Sequence, residues 1–228
     1  MRALIMGGTA GIGLAAAELL AEQGIEVTVT GRDPQKLERA RERFAGAVAL
    51  DGTDRAAVSS FLASFGPVDH LVLAFSPGAV GVGPLKQVDF GDVETAVTAK
   101  LLPYLFAVRD AEVTESVTMI SASGARAAVP GTVAFSAANG AIERVVSPLA
   151  AELAPVRVNA VSPGLIDTDW WNFLPEDRRR AQFEDAAQRV PLGRVGTALD
   201  VAKAIAYLVD ASYVTGTIMA VDGGTTIA

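Results

Sequence analysis

The chain has 228 residues, half of them hydrophobic, so its length and composition suit one large domain with a sizeable core. The net charge of −7 argues against nucleic acid or an anionic membrane as the main partner. There is no cysteine and only one histidine, which excludes disulfide and thiolate chemistry and argues against a zinc site. No apolar run approaches the ~20 residues of a membrane helix, and the sequence opens without a signal-peptide pattern, so a cytoplasmic protein is expected.

Strand-like and helical segments alternate along the whole chain. Strands are predicted at residues 3–6, 25–30, 47–50, 70–75, 116–121, 156–161 and 217–221. Helices are predicted at residues 14–23, 34–44, 54–65, 90–111, 133–153, 176–189 and 199–209. Continuous apolar strands between helices indicate a parallel sheet covered on both faces. We therefore predict a single α/β domain over residues 1–228, a doubly wound Rossmann sheet of about seven strands.

A glycine-rich turn, Gly-Gly-Thr-Ala-Gly-Ile-Gly at residues 7–13, joins the first strand to the first helix. The first N–H groups of a helix have no partner within the helix, and the helix dipole favours an anion there. Glycine permits the tight turn and the close approach of a pyrophosphate. We predict that this turn binds a dinucleotide. The expected contacts are Gly7, Thr9, Ala10, Gly11, Ile12 and Gly13.

The residues after the second strand indicate which dinucleotide is bound. NAD sites place a carboxylate there for the ribose 2′-hydroxyl, whereas NADP sites place a cation. Here Arg32 follows the strand and can bind a 2′-phosphate, while Asp33 is expected to cap the helix that begins with Pro34. We therefore expect NADP(H), with a solvated role for Arg32 as the alternative. Asp51 either accepts from the adenine amino group or caps a turn.

The chain resembles the short-chain dehydrogenase/reductase family over essentially its full length. Gly7, Gly11 and Gly13 have the family's glycine spacing, residues 157–164 look like its sixth strand and Pro-Gly turn, and residues 213–224 look like its C-terminal signature. The resemblance implies an oxidoreductase that uses a nicotinamide cofactor.

The same resemblance implies how the cofactor is held beyond the glycine turn. Pro163 and Gly164 would wall the nicotinamide ring, and Ile166 and Thr168 would bind its carboxamide. In the fourth strand the family's Asn-Asn-Ala-Gly run is replaced by Leu-Ala-Phe-Ser. Backbone contacts to the adenosine half, at Ala74, are therefore all that is expected there.

The catalytic positions depart from the family pattern. Phe135 stands where the family has its catalytic tyrosine and has no proton to give. Asn139 stands where the family has lysine, and Lys100 stands where the family has an asparagine on the preceding long helix. A swap could keep one ammonium and one amide in the same small volume. Alternatively, Lys100 is an exposed helix lysine and Asn139 an ordinary polar residue.

The family's catalytic serine lies near the end of the fifth strand. An ungapped alignment places Ala122 there, and a shift of one residue gives Ser123, which we take as the hydrogen-bond donor to substrate. Ser121, Ser136 and Tyr104 are weaker candidates, and Tyr104 is expected to pack in the core.

Several residues outside these positions also bear on structure and substrate. In the family, the segment at about residues 167–192 is a mobile substrate lid, and here it contains Trp170, Trp171 and Phe173. These aromatic rings suit an apolar or aromatic small-molecule substrate, or they pack internally. His70 is expected to be structural, and Pro148 is expected to kink or end its helix. By analogy with the family, a homodimer or homotetramer is expected.

Three functional hypotheses follow. The first is an NADP(H)-dependent oxidoreductase acting on a carbonyl or alcohol, in which Ser123 holds the substrate oxygen and Lys100, beside Asn139, supplies charge or a proton. Burial would lower the pKa of that lysine. The second is a catalytically degenerate NADP(H)-binding protein that serves as a sensor or scaffold. The third is a non-redox enzyme in which the cofactor is structural. No metal is expected in any of them.

Overall fold

The computed structural model describes residues 1–227, in which helices and strands alternate. The strands are β1 (Arg2–Met6), β2 (Glu26–Gly31), β3 (Gly46–Ala49), β4 (Val68–Leu73), β5 (Val113–Ile120), β6 (Arg157–Pro163), β7 (Ile166–Asp167), β8 (Gly196–Thr197) and β9 (Ile218–Val221). The helices are α1 (Gly11–Glu22), α2 (Pro34–Arg41), α3 (Arg55–Phe65), α4 (Phe90–Asp110), α5 (Val133–Glu152), α6 (Glu176–Arg189) and α7 (Ala198–Asp210).

Seven of the strands form one parallel sheet in the order β3-β2-β1-β4-β5-β6-β9. The chain winds outward from β1 to β3, crosses back, and continues from β4 to β9 on the other side. The strand order therefore reverses between β1 and β4, and ligands of open α/β sheets bind at the carboxyl ends of strands at such a point. The predicted doubly wound Rossmann fold is confirmed.

The sheet is buried between two layers of helices. One apolar cluster joins the sheet to α1 and α7, and a second joins the opposite face to α3, α4 and α5. All seven residues of β6 are buried, and its polar side chains, Arg157, Asn159 and Ser162, each make a hydrogen bond. These layers fix the carboxyl ends of β1, β2, β4, β5 and β6 around one cleft.

Some boundaries differ from the sequence predictions. Helix α1 begins at Gly11 rather than at residue 14, because the glycine turn leads directly into the helix. Strand β4 covers residues 68–73 rather than 70–75, since Phe75 leaves the sheet to pack its ring against Tyr104. Strands β7 and β8 pair only with each other and are two residues long, too short for a periodic signal.

The two prolines within long helices do not end them. Helix α4 runs through Pro103, and α5 continues four residues beyond Pro148 to Glu152. Of the two effects expected of Pro148, a kink or an end of the helix, the end is therefore wrong. Its side chain is exposed, so water can satisfy the carbonyl that loses its N–H partner. Within residues 1–227, no helix combines the length and apolarity needed to cross a membrane.

Candidate active site

The glycine turn after β1 is closely packed. Gly7 and Gly11 have φ angles of 85° and 53°, in the left-handed region that favours glycine. A Cβ atom on Gly13 would lie 2.2 Å from the Gly7 carbonyl oxygen, so only glycine fits there. Ala10 precedes α1 without a capping side chain, and the first turn of α1 has no acidic residue. The turn is thus suited to an anion at the helix N-terminus.

At the end of β2, Arg32 is exposed and makes no hydrogen bond or ion pair with any described residue. Asp33 Oδ1 accepts hydrogen bonds from the backbone N–H groups of Gln35 at 2.9 Å and Lys36 at 3.1 Å. The prediction that Asp33 caps α2 is confirmed. Because that carboxylate is committed to the helix, the cation at position 32 is the group free to meet a ligand.

Asp51 forms a turn. Its Oδ1 accepts from the Thr53 backbone N–H at 2.9 Å and from the Thr53 hydroxyl at 2.8 Å. The hydrogen bond from the Thr53 backbone, with help from the Thr53 hydroxyl and the nearby Arg32 charge, lowers the pKa of Asp51. Of the two alternatives for Asp51, the structure shows the turn. Both hydrogen bonds use one carboxylate oxygen, which leaves the other for a ligand.

Ala74 and Phe75, which follow β4, face the end of the cleft where Arg32 and Asp51 lie. The Ala74 Cβ lies 3.2 Å from where a Cβ on Gly13 would be, and the Ala74 N–H donates to the Met6 carbonyl at 2.9 Å. The Phe75 ring occupies the space beside Gly52, where a Cβ would lie 2.8 Å from Phe75 Cε2. Sequence reasoning missed Phe75 as a wall of this region, because its ring is placed by contacts with residues distant in sequence.

The segment after β6 lies across the glycine turn. Pro163 is buried, and the Gly164 N–H donates to the Val221 carbonyl at 3.0 Å, which anchors the Pro-Gly turn to β9. Ile166 is buried, and Thr168 Cβ is 3.5 Å from where a Cβ on Gly11 would lie. Residues assigned to opposite ends of a dinucleotide are therefore gathered around one cleft.

Lys100 and Asn139 are in direct contact. Lys100 Nζ donates to Asn139 Oδ1 at 2.6 Å, and Asn139 Nδ2 donates to the Phe135 carbonyl at 2.8 Å. Lys100 is 7% exposed and Asn139 is completely buried, so the reading of Lys100 as an exposed helix lysine does not describe this structure. Burial lowers the pKa of Lys100 to about 7, because the desolvated ammonium loses its hydration.

Tyr104 lies one turn after Lys100 but belongs to the core. Its hydroxyl donates to the Phe75 carbonyl at 3.0 Å, and its ring centre lies 4.9 Å from that of Phe75. Burial raises the pKa of Tyr104 far above its ordinary value, so this phenol does not give up a proton near neutral pH. The expectation that Tyr104 packs is confirmed.

The candidate serines differ in their partners. Ser123 begins a 3₁₀ turn (Ser123–Ala125) after β5, and its hydroxyl makes no hydrogen bond to residues 1–227. The Ser121 hydroxyl donates to Glu143 Oε1 at 2.9 Å, and the Ser136 hydroxyl lies 3.1 Å from that of Thr132. Ser123 is thus the serine whose hydroxyl is available.

Glu143 contacts residues beside the candidate serine, which the sequence did not reveal. Its Oε1 accepts from the hydroxyls of Ser121 at 2.9 Å and Ser162 at 2.7 Å, and its Oε2 lies 3.3 Å from Arg126 Nε. The carboxylate thereby ties together the ends of β5 and β6 and the turn that carries Ser123. Its position one helical turn after Asn139 was the available signal.

Aromatic rings surround Phe135. Phe135 packs against Gly124, where a Cβ would lie 2.9 Å from the ring, and its centre is 6.3 Å from that of Trp170. Trp170 in turn meets Trp171 and Phe173 at 4.7 and 5.3 Å between ring centres. The three aromatic residues of the 169–173 turn are therefore continuous with the position of Phe135.

His70 lies outside this cleft. Its Nδ1 is 2.9 Å from the Ser116 hydroxyl, and burial lowers its pKa. This agrees with the structural role expected for it. Among residues 1–227, no group of three or more histidine, cysteine, aspartate or glutamate side chains is arranged to hold a metal ion.

Comparison with known proteins places this architecture in a family. The family model described as "Enoyl-(Acyl carrier protein) reductase" matches residues 7–226. A solved structure, described as a short chain dehydrogenase/reductase family protein, is 30% identical with a TM-score of 0.87 and covers 100% of this chain and 98% of its own. The chain belongs to the short-chain dehydrogenase/reductase family. The predicted class, an oxidoreductase of the short-chain dehydrogenase type, is confirmed.

Two other members of the family illustrate its range. The 3-oxoacyl-acyl-carrier-protein reductase of Thermotoga maritima is 31% identical over 98% of this chain and 97% of its own length. A solved small-chain dehydrogenase in complex with NADPH is 30% identical, with a TM-score of 0.86, and covers 100% of this chain and 99% of its own.

Proposed function

We propose that this protein is an NADP(H)-dependent oxidoreductase that acts on a carbonyl or alcohol through a rearranged proton-donating group. The buried contact between Lys100 and Asn139 carries the proposal. It places an ammonium with a pKa of about 7 on the helix pair from which the family supplies its catalytic side chains.

The cofactor site fits NADP(H). The first turn of α1 would receive the diphosphate, because the glycine turn leaves no room for side chains and no acidic residue opposes an anion. Arg32 would meet the 2′-phosphate, and the free oxygen of Asp51 would meet the adenine amino group. Pro163, Gly164, Ile166 and Thr168 would line the nicotinamide end. NADPH, when bound, supplies the hydride.

Lys100 would then handle the proton. When a carbonyl is reduced, negative charge develops on its oxygen, and an acid with a pKa near the operating pH is the most effective donor. Lys100 meets this requirement, whereas Phe135 has no proton and burial removes Tyr104 as an acid. Asn139 holds the ammonium in place, and its own amide is fixed by the Phe135 carbonyl. The Ser123 hydroxyl would hold the substrate oxygen.

The aromatic rings support an apolar or aromatic substrate. Trp170 extends from the 169–173 turn to Phe135. Phe173 is exposed and Trp170 half-buried, so the cluster presents apolar area at the cleft. With α6, this segment would act as the substrate lid.

An activity screen tests the proposal. Purified protein is mixed with NADPH or NADH and a panel of carbonyl compounds, including aromatic ketones and 3-oxoacyl thioesters, and loss of the reduced cofactor is followed by its absorbance. NADPH-dependent turnover of an apolar carbonyl is expected. For Lys100→Met, turnover should fall by about 10²–10⁴-fold while NADPH affinity stays within about threefold. Lys203→Met, which removes an exposed cation at the opposite edge of the sheet, is the matched control and should leave both unchanged.

A second candidate is a catalytically degenerate protein that binds NADP(H) as a sensor or scaffold. The absence of the tyrosine at position 135 favours it, together with the direct bond that occupies the Lys100 ammonium. Tight NADPH binding without turnover across the panel would support this candidate against the oxidoreductase.

We further propose that the protein forms a homodimer or homotetramer through α4 and α5. Phe90, Leu102 and Val133 on these helices are 69%, 42% and 51% exposed, so the two helices offer apolar side chains that a second copy could cover. Light scattering of the purified protein should give two or four times the chain mass of 23.5 kDa. A mass equal to one chain would refute it.

A further inference from the structure

An ion pair joins the two sides of the cofactor cleft. Lys36 Nζ lies 3.1 Å from Asp169 Oδ2, although 133 residues separate them in sequence. Lys36 belongs to the first turn of α2, just after β2, whereas Asp169 begins the 3₁₀ turn that follows Thr168. The pair therefore connects the adenosine side of the cleft to the segment that carries the aromatic rings.

The glycine turn lies between the two partners. On the Asp169 side, Thr168 packs over Gly11. On the Lys36 side, Thr9 packs against Gly31 at the end of β2, where a Cβ would lie 2.4 Å from the threonine hydroxyl. The Lys36–Asp169 pair consequently lies across the glycine turn, and Lys36 is four residues after Arg32.

A phosphate group can compete with Asp169 for the Lys36 ammonium. The Lys36 side chain is 29% exposed and the Asp169 side chain 64% exposed, so water screens the attraction and the pair is weak. The nearby Asp33 carboxylate is engaged by two backbone N–H groups of α2. A phosphate monoester carries up to two negative charges and three acceptor oxygens, and attracts an ammonium more strongly than one carboxylate does.

We propose that Lys36 exchanges Asp169 for the 2′-phosphate of NADP(H), and so determines cofactor specificity together with Arg32. This inference rests on the proposed function, which makes NADP(H) the cofactor. The exchange also frees the Asp169 carboxylate at the start of the 169–173 turn, beside Trp170 and Trp171. NAD(H), which has a neutral 2′-hydroxyl, leaves the pair intact.

Calorimetry with cofactor fragments tests the exchange without any need for turnover. Adenosine 2′,5′-bisphosphate is the probe, and adenosine 5′-monophosphate, which lacks the 2′-phosphate, is its control. Lys36→Met should weaken bisphosphate binding about tenfold, the scale of one charged hydrogen bond, and leave monophosphate binding unchanged. Asp169→Asn should strengthen bisphosphate binding about threefold, because Lys36 no longer has a competing partner.

Two further variants and tryptophan fluorescence test the same exchange. The double variant should bind the bisphosphate as Lys36→Met does, since removing Asp169 has no effect without the lysine. Asp167→Asn removes a neighbouring exposed carboxylate and should change neither affinity. Tryptophan fluorescence should shift when the bisphosphate binds wild type but not when the monophosphate binds, and the shift should vanish in Lys36→Met.

The outcomes separate this inference from the proposed function. If the bisphosphate binds wild type more tightly than the monophosphate, yet Asp169→Asn leaves both affinities unchanged, the exchange is refuted and the NADP(H) assignment survives. Equal loss of both ligands in Lys36→Met also refutes the exchange. If wild type binds the two fragments equally, the 2′-phosphate assignment to Arg32 fails as well. Circular dichroism confirms that each variant is folded before its affinities are compared.

Discussion

The lowered pKa of Lys100 predicts how the free energy of unfolding changes with pH, and this can be tested without a substrate. Burial lowers the pKa of Lys100 from its ordinary 10.5 to about 7, so between these two pH values the unfolded chain binds a proton that the folded chain does not. Stability then rises with pH, because raising the pH removes a proton from the unfolded state only. The penalty for holding a charged lysine in the core is complete below pH 7 and relieved above the unfolded pKa.

The magnitude follows from the same two values. Each tenfold change in proton affinity is worth 1.36 kcal/mol, so the difference of 3.5 between 10.5 and 7 corresponds to an upper bound of ~5 kcal/mol. Between pH 6 and pH 9, wild type should gain about 3 kcal/mol relative to Lys100→Met, which lacks the titrating group. All other groups titrate alike in wild type and variant, so their contributions to the pH dependence cancel in the comparison.

Urea unfolding at pH 6, 7.5 and 9 measures this difference. In Lys100→Met, the Asn139 amide oxygen loses its hydrogen-bond donor, which lowers the free energy of unfolding by ~1–3 kcal/mol at every pH. The informative quantity is therefore how the difference between wild type and variant changes with pH. A difference between wild type and variant that stays constant from pH 6 to pH 9 would show that Lys100 has an ordinary pKa. The argument for its role as an acid would then fail.

Four further predictions concern single residues. Arg32→Ala should weaken NADPH binding by about tenfold or more and leave NADH binding unchanged, as measured by cofactor fluorescence; equal losses would remove Arg32 from the 2′-phosphate site. Trp170→Ala should raise KM for an apolar carbonyl with little change in NADPH affinity, and an unchanged KM would mean that this ring only packs. Tyr104→Phe should lower unfolding stability by ~1 kcal/mol without altering the pH dependence of turnover, and a changed pH profile would contradict its core assignment. Glu143→Gln should lower kcat more than it affects NADPH affinity, because it loosens the turn of Ser123; unchanged kcat would refute that positioning role.

The parts of the fold that local sequence determines were predictable. The alternation of apolar strands with helices predicts the order of elements, and the glycine turn and the Asp33 cap are contiguous motifs with a local physical cause. The end of β4 was misplaced because it depends on where Phe75 packs, which is a tertiary effect. The two-residue strands β7 and β8 exist only through their pairing with each other.

The site was predictable only in part, for the same reason. The resemblance placed Lys100 and Asn139 on adjacent helices, and the structure adds their direct contact and the burial that lowers the pKa of the lysine. The contacts of Glu143 with two strand ends, and the bond of Lys36 to Asp169, join residues far apart in sequence. No periodicity or motif in one chain encodes such pairs; they become visible once the fold brings the elements together.

The pH dependence of the reduction step tests the central claim most directly. A single turnover of NADPH with a carbonyl substrate, followed from pH 6 to pH 9, isolates the step in which the substrate oxygen takes its proton. The rate should fall as the pH rises through about 7, where Lys100 loses its proton, and this fall should be absent from the residual rate of Lys100→Met. A wild-type rate that is constant over the whole range would contradict the account.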